Sequence, residues 1–472
     1  MLPFNDYPFV YFVGIGGIGM SALARLLAKQ GCQVFGYDQC ASAVVSALRR
    51  EGILVDCTDS PTAIPEVIAN HPDQTLVVYT PAIPTHSAIL NYFKAAGYKI
   101  QSRAEVLGLI SKQFRTIAVA GTHGKTTTSA MIAHILYQSN QPMVAFVGGI
   151  IDRYHSNLLY NCSLDQVELM VAEADEFNRS FLHLKPTFSI ITAADADHPE
   201  TYSTPALMQA SFIEFIQQNQ KNLLIQHSAA HQLEVGKHYT QPFRTYGLDQ
   251  GDITAARVAI GLHKSTFDYL GSGITIANMV LPMAGLHNIE NALAAITISL
   301  ELGIPAIQAR KAMATFPGIK RRFCLVAQHK NYLLIDDYAH HPVEISALLT
   351  SVKKLYPSSV LTAIFQPHLF SRTQAFYKNF AASLSLVDQV FILPIYPARE
   401  VPIPGVTAEL IFNALTCKQK ALVTMDDLLA NLTASCSRIR EHQVIVTIGA
   451  GDIGEMVSAI AKTMAEIFGD SG

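Results

Sequence analysis

Thr116-Ile117-Ala118-Val119-Ala120-Gly121-Thr122-His123-Gly124-Lys125-Thr126-Thr127-Thr128 is the stretch that decides how this chain folds. Ile117 to Ala120 is a buried β run, Gly121 to Gly124 a glycine turn, and Lys125, Thr126 and Thr127 open a helix. That order of parts builds an anion cradle, because backbone N–H groups of the turn and of the helix N-terminus converge where the helix dipole adds positive potential. A phosphate chain fits there. Gly121, Thr122, His123 and Gly124 supply the loop, Lys125 reaches the terminal phosphates, and the Thr126 hydroxyl, next to Thr127, is a Mg²⁺ ligand. The general pattern G-x-x-x-x-G-K-[ST] asks for glycine at position 119, where this chain has Val119, so the loop is a variant. The plainer reading is a glycine-rich turn with a solvated lysine.

The composition sets the frame around this loop. At 472 residues the chain exceeds what one hydrophobic core supports, and two to three domains are expected. Half of the residues are apolar and 15% are charged, which suits a core-rich globular enzyme and argues against disorder. A net charge of −3 gives no electrostatic case for nucleic acid or an anionic membrane, so phosphate binding has to be local. Seven scattered cysteines without a C-x-x-C pair point to a reducing, cytoplasmic home. Phe9 to Met20 lacks a basic flank and is broken by four glycines, so it does not read as a signal peptide, and no apolar run reaches the length of a membrane span.

Upstream of the loop, Phe9 to Val13 reads as a strand, Gly14-Ile15-Gly16-Gly17-Ile18-Gly19 as a glycine turn, Met20 to Gln30 as a helix, and Gln33 to Tyr37 as a second strand ending at Asp38. Glycines 14, 16 and 19 satisfy G-x-G-x-x-G, and an acid about 20 residues on sits where a ribose partner belongs. Alone this suggests a dehydrogenase binding NAD. A P-loop on the same chain makes a second nucleotide-type ligand the more economical reading. Leu76 to Tyr79 is a further strand with Thr80 in its loop, and Ser102 to Ser111 a helix carrying Arg103.

Downstream, the strand at Leu169 to Ala172 runs into Glu173-Ala174-Asp175-Glu176, and the strand at Phe188 to Thr192 runs into Asp195-Ala196-Asp197-His198. Open α/β sheets bind ligands beyond the carboxyl ends of their strands, which makes Glu173 and His198 candidates for a second Mg²⁺ site. Such acids also serve as helix caps. Residues 221 to 280 carry few signals and are expected to be strands and loops at an edge. The helix after Gly285 places His287, Asn288 and Asn291 in its first turns, either to hydrogen-bond an adenine or as the cap of a core helix.

After Pro317-Gly318 comes Lys320-Arg321-Arg322, and then four strands with polar C-terminal ends. Leu333 to Ile335 leads to Asp336-Asp337-Tyr338-Ala339-His340-His341, and Val360 to Phe365 to Gln366-Pro367-His368 with Arg372 beyond. Val390 to Leu393 leads to Tyr396, and Val444 to Ile448 to Gly449-Ala450-Gly451. Four such strands with helical patterns between them imply a doubly wound parallel sheet. His340 and His341 are adjacent and point apart on an extended chain, which favours a substrate or proton role for one of them over joint metal ligation.

In combination, F-V-G-I-G-G-I-G-M-S-A-L-A at 12 to 24, S-R-A-E at 102 to 105, G-T-H-G-K-T-T-T, E-A-D-E, D-A-D-H, H-N-I-E-N-A-L-A-A, K-R-R-F, D-D-Y-A-H-H-P, F-Q-P-H, S-R-T, P-I-P-G-V and G-A-G-D-I-G make the chain resemble the Mur ligase family along essentially its whole length. The resemblance implies an α/β protein of three domains. These are an N-terminal Rossmann-like domain for a UDP-sugar (1–112), a central P-loop ATPase-like domain with a mostly parallel sheet (113–319), and a C-terminal Rossmann-like domain contributing to ATP and amino-acid binding (320–472). It implies that ATP and Mg²⁺, at two sites, drive amide formation between UDP-N-acetylmuramate and L-alanine in peptidoglycan precursor synthesis, in a monomer or homodimer.

On that resemblance Gly14, Gly16, Gly17, Ile18, Gly19, Asp38, Thr80 and Arg103 hold the UDP-sugar. Thr126, Glu173 and His198 hold metal. His287, Asn288, Asn291 and Asp337 hold adenine and ribose, and Arg322 approaches the phosphates. Tyr338, His340, His368 and Arg372 meet the amino acid, His340 at its ammonium and Arg372 at its carboxylate. The family's recycling ligase, which attaches a whole peptide, usually departs from G-I-G-G-I-G-M, and a catalytically weakened UDP-sugar binder is the third reading. The chain departs from the family pattern at Thr80-Pro81, at Ala193 (usually Asn), at Leu286 and Leu369 (usually Arg) and at Arg399 (usually Gly). These positions bear on which amino acid is bound and how well.

Overall fold

The structure is a computed structural model that describes residues 3–219, 221–271, 273–398 and 400–469. Arg399 therefore lies outside the described residues. Three sheets follow one another along the chain. The first contains β1 (Phe9–Val13), β2 (Gln33–Tyr37), β3 (Leu54–Asp56), β4 (Thr75–Tyr79) and β5 (Lys99–Ser102), all parallel in the order β3-β2-β1-β4-β5. Its centre follows from alternation: Val10 and Phe12 of β1 enter the core on one face, Tyr11 and Val13 the core on the other. β2 and β4 flank β1 on opposite sides, so the strand order reverses there and opens a crevice at the glycine turn. The helix of that turn runs Ile18–Lys29 and starts two residues earlier than expected from Met20.

The second sheet has ten strands: β6 (Arg115–Ala120), β7 (Met143–Ile151), β8 (Ser156–Tyr160), β9 (Leu169–Ala174), β10 (Phe188–Ile191), β11 (Asn222–Gln226), β12 (Phe243–Tyr246), β13 (Ile253–Ile260), β14 (Ser265–Gly271) and β15 (Ile274–Leu281). They are ordered β15-β14-β13-β12-β11-β10-β6-β9-β7-β8. β6 is the hub, with β9 and β10 parallel on either side. The loop after β6 and the acid-bearing ends of β9 and β10 therefore face one crevice. The P-loop helix, Lys125–Gln138, is buried along nearly its whole length and packs against the helix Leu286–Glu301. Residues 221 to 280 form strands β11 to β15, and the last three make an antiparallel meander at the sheet's far end.

The third sheet contains β16 (Cys324–Gln328), β17 (Tyr332–Asp337), β18 (Val360–Phe365), β19 (Gln389–Ile392), β20 (Gln419–Leu422) and β21 (Gln443–Ile448) in the order β16-β17-β21-β18-β19-β20, with only β16 antiparallel. β17 runs three residues longer than expected at its ends, taking in Tyr332, Asp336 and Asp337. The segment entering this sheet is tied to the second one, because Ile319 bridges Ile151 and the Lys320 N–H donates to the Ile150 carbonyl at 3.0 Å.

Candidate active site

In the first unit each fingerprint glycine lies against one candidate side chain. A Cβ at Gly14 would stand 2.8 Å from Thr80 Cγ2, at Gly16 2.8 Å from Asp38 Oδ2, and at Gly19 2.7 Å from Arg103 Nη1. Gly14 also has φ +88°, open to glycine and unfavourable for other residues. The structure thus gathers Gly14, Gly16, Gly19, Asp38, Thr80 and Arg103 around one loop, with Gly17 capping the helix and Ile18 opening it. Asp38 accepts the Gly16 N–H at 2.7 Å and so fixes the loop itself. Arg103 is the first residue of the helix Arg103–Ser111, whose start is locked by a reciprocal Ser102–Glu105 capping box.

In the P-loop, Gly121 (φ +128°) and Gly124 (φ +80°) take left-handed backbone, and a Cβ at Gly124 would stand 2.6 Å from Asn291 Oδ1. Lys125 Nζ donates to the Gly121 carbonyl at 2.6 Å and to both Glu176 oxygens at 2.8 and 2.9 Å. Burial opposes the charge on Lys125, but Glu176, Asp175 and Glu173 raise its pKa above the usual lysine range. Burial likewise opposes the charge of Glu176, which Lys125 and His198 hold down to about 2. Thr126 donates its hydroxyl hydrogen to Glu173 Oε2 at 2.9 Å, and the Gly148 N–H reaches the same oxygen at 2.9 Å.

The expected metal set divides into two groups. Glu173 sits with Thr126, whereas His198 lies 3.4 Å from Glu176, and one ligand atom each of Asp175, Glu176 and His198 falls within 4.8 Å of the others. Carboxylate and hydroxyl oxygens with a single imidazole suit a hard divalent cation such as Mg²⁺, so both groups fit the ion that the loop implies. His198 adopts φ +52°. Burial lowers its pKa, yet Asp197, Glu176 and Glu200 together raise it to about 10.

Between the second and third sheets lies a cavity of about 330 Å³. His123, Gly124, Thr127, His287, Asn288 and Asn291 reach it from the second sheet's side, and Arg322 and Asp337 from the third. Asp337 accepts the N–H groups of Phe323 and Ala339, both at 2.7 Å, and burial raises its carboxyl to about 6 against the pull of Arg322. Asn291 accepts from Thr128 at 3.2 Å and Asn288 donates to the Ala284 carbonyl at 2.7 Å, so both amides are anchored to the helix packing as well as facing the cavity.

The third sheet gathers Tyr338, His340, His368 and Arg372. The rings of His340 and His368 are 5.9 Å apart, those of Tyr338 and His340 5.6 Å, and Arg372 Nη1 is 3.4 Å from His368 Nδ1. His340 Nδ1 lies 3.0 Å from the Tyr338 carbonyl, which can only accept, so Nδ1 carries the hydrogen and Nε2 is left with its lone pair. Burial first, with Arg372, lowers its pKa to about 4 and keeps the ring neutral. His341 turns the other way, its ring tilted against that of His123 with centroids 4.8 Å apart. The Arg372 guanidinium, expected to await a carboxylate, is 1% exposed and bound to Asp197 across the two sheets at 2.8 and 3.0 Å. Leu369 is buried at φ +70°, with its N–H on the Tyr396 carbonyl at 3.0 Å.

Glu176, Asp197 and Glu344 were not singled out from the sequence. Glu344 lies 3.5 Å from His123 and 3.9 Å from Arg322, and its Oε2 accepts the His340 N–H at 2.9 Å. The first two stand inside E-A-D-E and D-A-D-H. For Glu344 the available signal was its place three residues after His341 at a helix start.

Two glycine loops, carboxylates at neighbouring strand ends and a cavity shared between sheets define a nucleotide-binding α/β protein of the P-loop class. Comparison with known proteins narrows the class. Residues 9–115 match the Mur ligase family catalytic domain, 119–299 the Mur ligase middle domain and 321–451 the Mur ligase glutamate ligase domain. The UDP-N-acetylmuramate–L-alanine ligase of Flavobacterium johnsoniae is 42% identical over 98% of this chain and 99% of its own, and that of Porphyromonas gingivalis 43% over 96% and 98%. The crystal structure of a UDP-N-acetylmuramate-alanine ligase from Thermotoga maritima superposes with a TM-score of 0.80 at 28% identity, covering 97% of this chain and 99% of that one. A murein peptide ligase from Psychrobacter arcticus, at 22% identity and TM-score 0.70 over 97% and 98%, shares the fold. The chain belongs to the Mur ligase family.

Proposed function

We propose that the protein joins the lactyl carboxylate of UDP-N-acetylmuramate to the amine of L-alanine at the expense of ATP, starting the peptide of a peptidoglycan precursor. The observation that carries this is a cavity of about 110 Å³ between the first glycine loop and the ends of β7 and β9: Gly19 and Arg103 form one wall, Gly148, Glu173 and Asp175 the other. An acid presented by the first loop arrives there beside the Thr126–Glu173 pair. We assign residues 1–112 to the UDP-sugar, 113–319 to ATP, and 320–472 to closing over both. Among the described residues no helix is long and apolar enough to cross a membrane; we assign the reaction to the cytoplasm because ATP and a sugar nucleotide are its proposed substrates.

Amide formation from a carboxylate in water is uphill, so the acid is first activated as an acyl phosphate by the γ-phosphoryl group of ATP. Two anions must approach in that step, and Lys125 stands where their charge accumulates. Mg²⁺, held by Thr126 with Glu173 and by His198 with Glu176, would supply further charge neutralisation when bound. His340 is neutral with Nε2 free to accept, which suits it to receive a hydrogen bond from the L-alanine ammonium and orient it, so that once the ammonium has shed its proton the amine attacks the acyl carbon and the tetrahedral adduct expels phosphate. The incoming carboxylate is assigned to the His368 side of this corner, where Arg372, itself committed to Asp197, lies 3.4 Å from the ring and positions it. With the three units closed together, water is kept from the acyl phosphate.

The test is phosphate release with each substrate omitted in turn, followed by transfer of ¹⁸O from the labelled lactyl carboxylate into phosphate. Release that ignores the UDP-sugar, or phosphate without label, rules the reading out. Lys125→Ala is expected to lower turnover about a thousandfold while leaving UDP-sugar affinity nearly unchanged.

A further inference from the structure

The helix behind the UDP-sugar loop starts without a side-chain cap of its own, since Gly17 has none to give. Its first turn is gripped instead from another sheet. Asn157 of β8, fully buried, donates its amide hydrogens to the Ile18 carbonyl and to Ser21 Oγ (3.2 Å), and its Oδ1 accepts from Arg25 Nη1 at 2.7 Å. One side chain thereby holds both of the first two turns of the helix Ile18–Lys29, and Glu51 fixes Arg25 from behind at 2.8 and 2.9 Å.

The hairpin that carries Asn157 reaches the reacting end of the molecule through its other strand. The Gly148 N–H of β7 binds Glu173 Oε2 at 2.9 Å. A Cβ at Gly149 would stand 3.1 Å from Thr126 Cγ2 and 2.9 Å from Ile319 Cγ2, so only glycine lets β7 pass between the P-loop helix and the segment leading into the third sheet. Ile151 then bridges Ile319. A single hairpin thus touches the glycine loop of the first unit, the Thr126–Glu173 pair, and the entry to the third unit.

We infer that the β7–β8 hairpin is the strut that registers the UDP-sugar loop against the phosphoryl-transfer site, with Asn157 as its positioning residue. The inference rests on the function proposed above. Asn157 touches the carbonyl at the root of the loop, not the substrate. When its two donor bonds are lost, the first turn samples orientations in which the loop amides no longer converge, and apparent affinity falls by the fraction of molecules that remain competent.

The experiment measures UDP-N-acetylmuramate affinity by calorimetry without ATP, the KM values for both nucleotides, and amide exchange across Gly14–Ser21 in the full chain. Asn157→Ala is expected to raise Kd and KM for the UDP-sugar about tenfold, to speed exchange in that segment, and to leave the KM for ATP within about twofold. Asn157→Asp has the same shape and keeps the bond to Arg25, but it cannot donate to the Ile18 carbonyl. A merely space-filling role predicts that it behaves as wild type, whereas the positioning role predicts the defect of the alanine variant. Should Asn157→Ala fail to fold, the aspartate variant decides. A folded variant with wild-type affinity overturns the inference. Wild-type phosphate release without the UDP-sugar overturns the functional reading instead.

Discussion

His123 occupies a position where a P-loop tolerates almost any residue, yet its surroundings leave it little freedom. Its ring nitrogens lie 3.4 Å from Asp195 and 3.5 Å from Glu344, the second of these on the far side of the cavity between the second and third sheets. Burial disfavours its charge, but the two carboxylates prevail and raise its pKa from 6.5 to about 9. The native protein therefore binds this proton more tightly than the unfolded chain does, so the stabilisation is fully present below pH 6.5 and fades as the pH rises through about 9. The nearby His198, raised to about 10, fades in an overlapping window. The readout is accordingly a difference: between pH 6.5 and 9, the urea midpoint of the unliganded wild type is expected to fall more steeply than that of His123→Asn. Parallel slopes would show that the two ion pairs contribute nothing to stability in this window.

Among the elements, the helix Arg103–Ser111 shows how local sequence aims a distant group. Ser102 accepts the Glu105 N–H at 3.2 Å while Glu105 accepts the Ser102 N–H at 2.6 Å, and this box sets the direction in which Arg103 leaves the first turn. Ser102→Ala is expected to lower stability by about 1 kcal/mol and, by loosening Arg103 against Gly19, to raise the KM for the UDP-sugar with little change for ATP. Thermal unfolding and initial rates check the two parts separately.

Such local devices are also where sequence reading succeeds. β1, β2 and β18 begin and end where apolar alternation places them, because each is a central strand whose two faces both enter a core. Elements with one wet face were harder. β16 is only partly buried along its length, and β13 is exposed over Val258 and its neighbours, so neither carries a continuous apolar signal. For the site, glycine spacing located both loops, and strand ends located the acids. Partners could not be read. That Arg372 would meet Asp197, Lys125 meet Glu176, and His123 meet Glu344 depends on how separate sheets pack, and no local spacing encodes that.

At the scale of the molecule, the Arg372–Asp197 pair is a deeply buried ionic tie between the second and third sheets, with side-chain exposures of 1% and 3%. A charge left alone in such a place is strongly unfavourable, so removing either partner is expected to destabilise the closed arrangement by about 3–5 kcal/mol, whereas replacing both by apolar residues costs much less. Arg372→Met, Asp197→Leu and the double variant, compared by unfolding midpoint and by radius of gyration in solution, test this. Strictly additive losses would mean the two side chains act independently.

The hairpin β7–β8 ends the ten-stranded sheet, and among the described residues β8 has only β7 as a strand neighbour. Its cover is borrowed: the helix Ile18–Lys29 sits on it, with Lys29 over the Tyr160 ring at 4.8 Å and Leu158 sharing a core with Leu23 and Leu26. A fragment that begins after residue 112 would bare Leu158, Asn157 and a ready template for intermolecular β-pairing. The first unit, assigned above to the sugar nucleotide, thus also covers a sticky margin of its neighbour, and its removal is expected to promote aggregation.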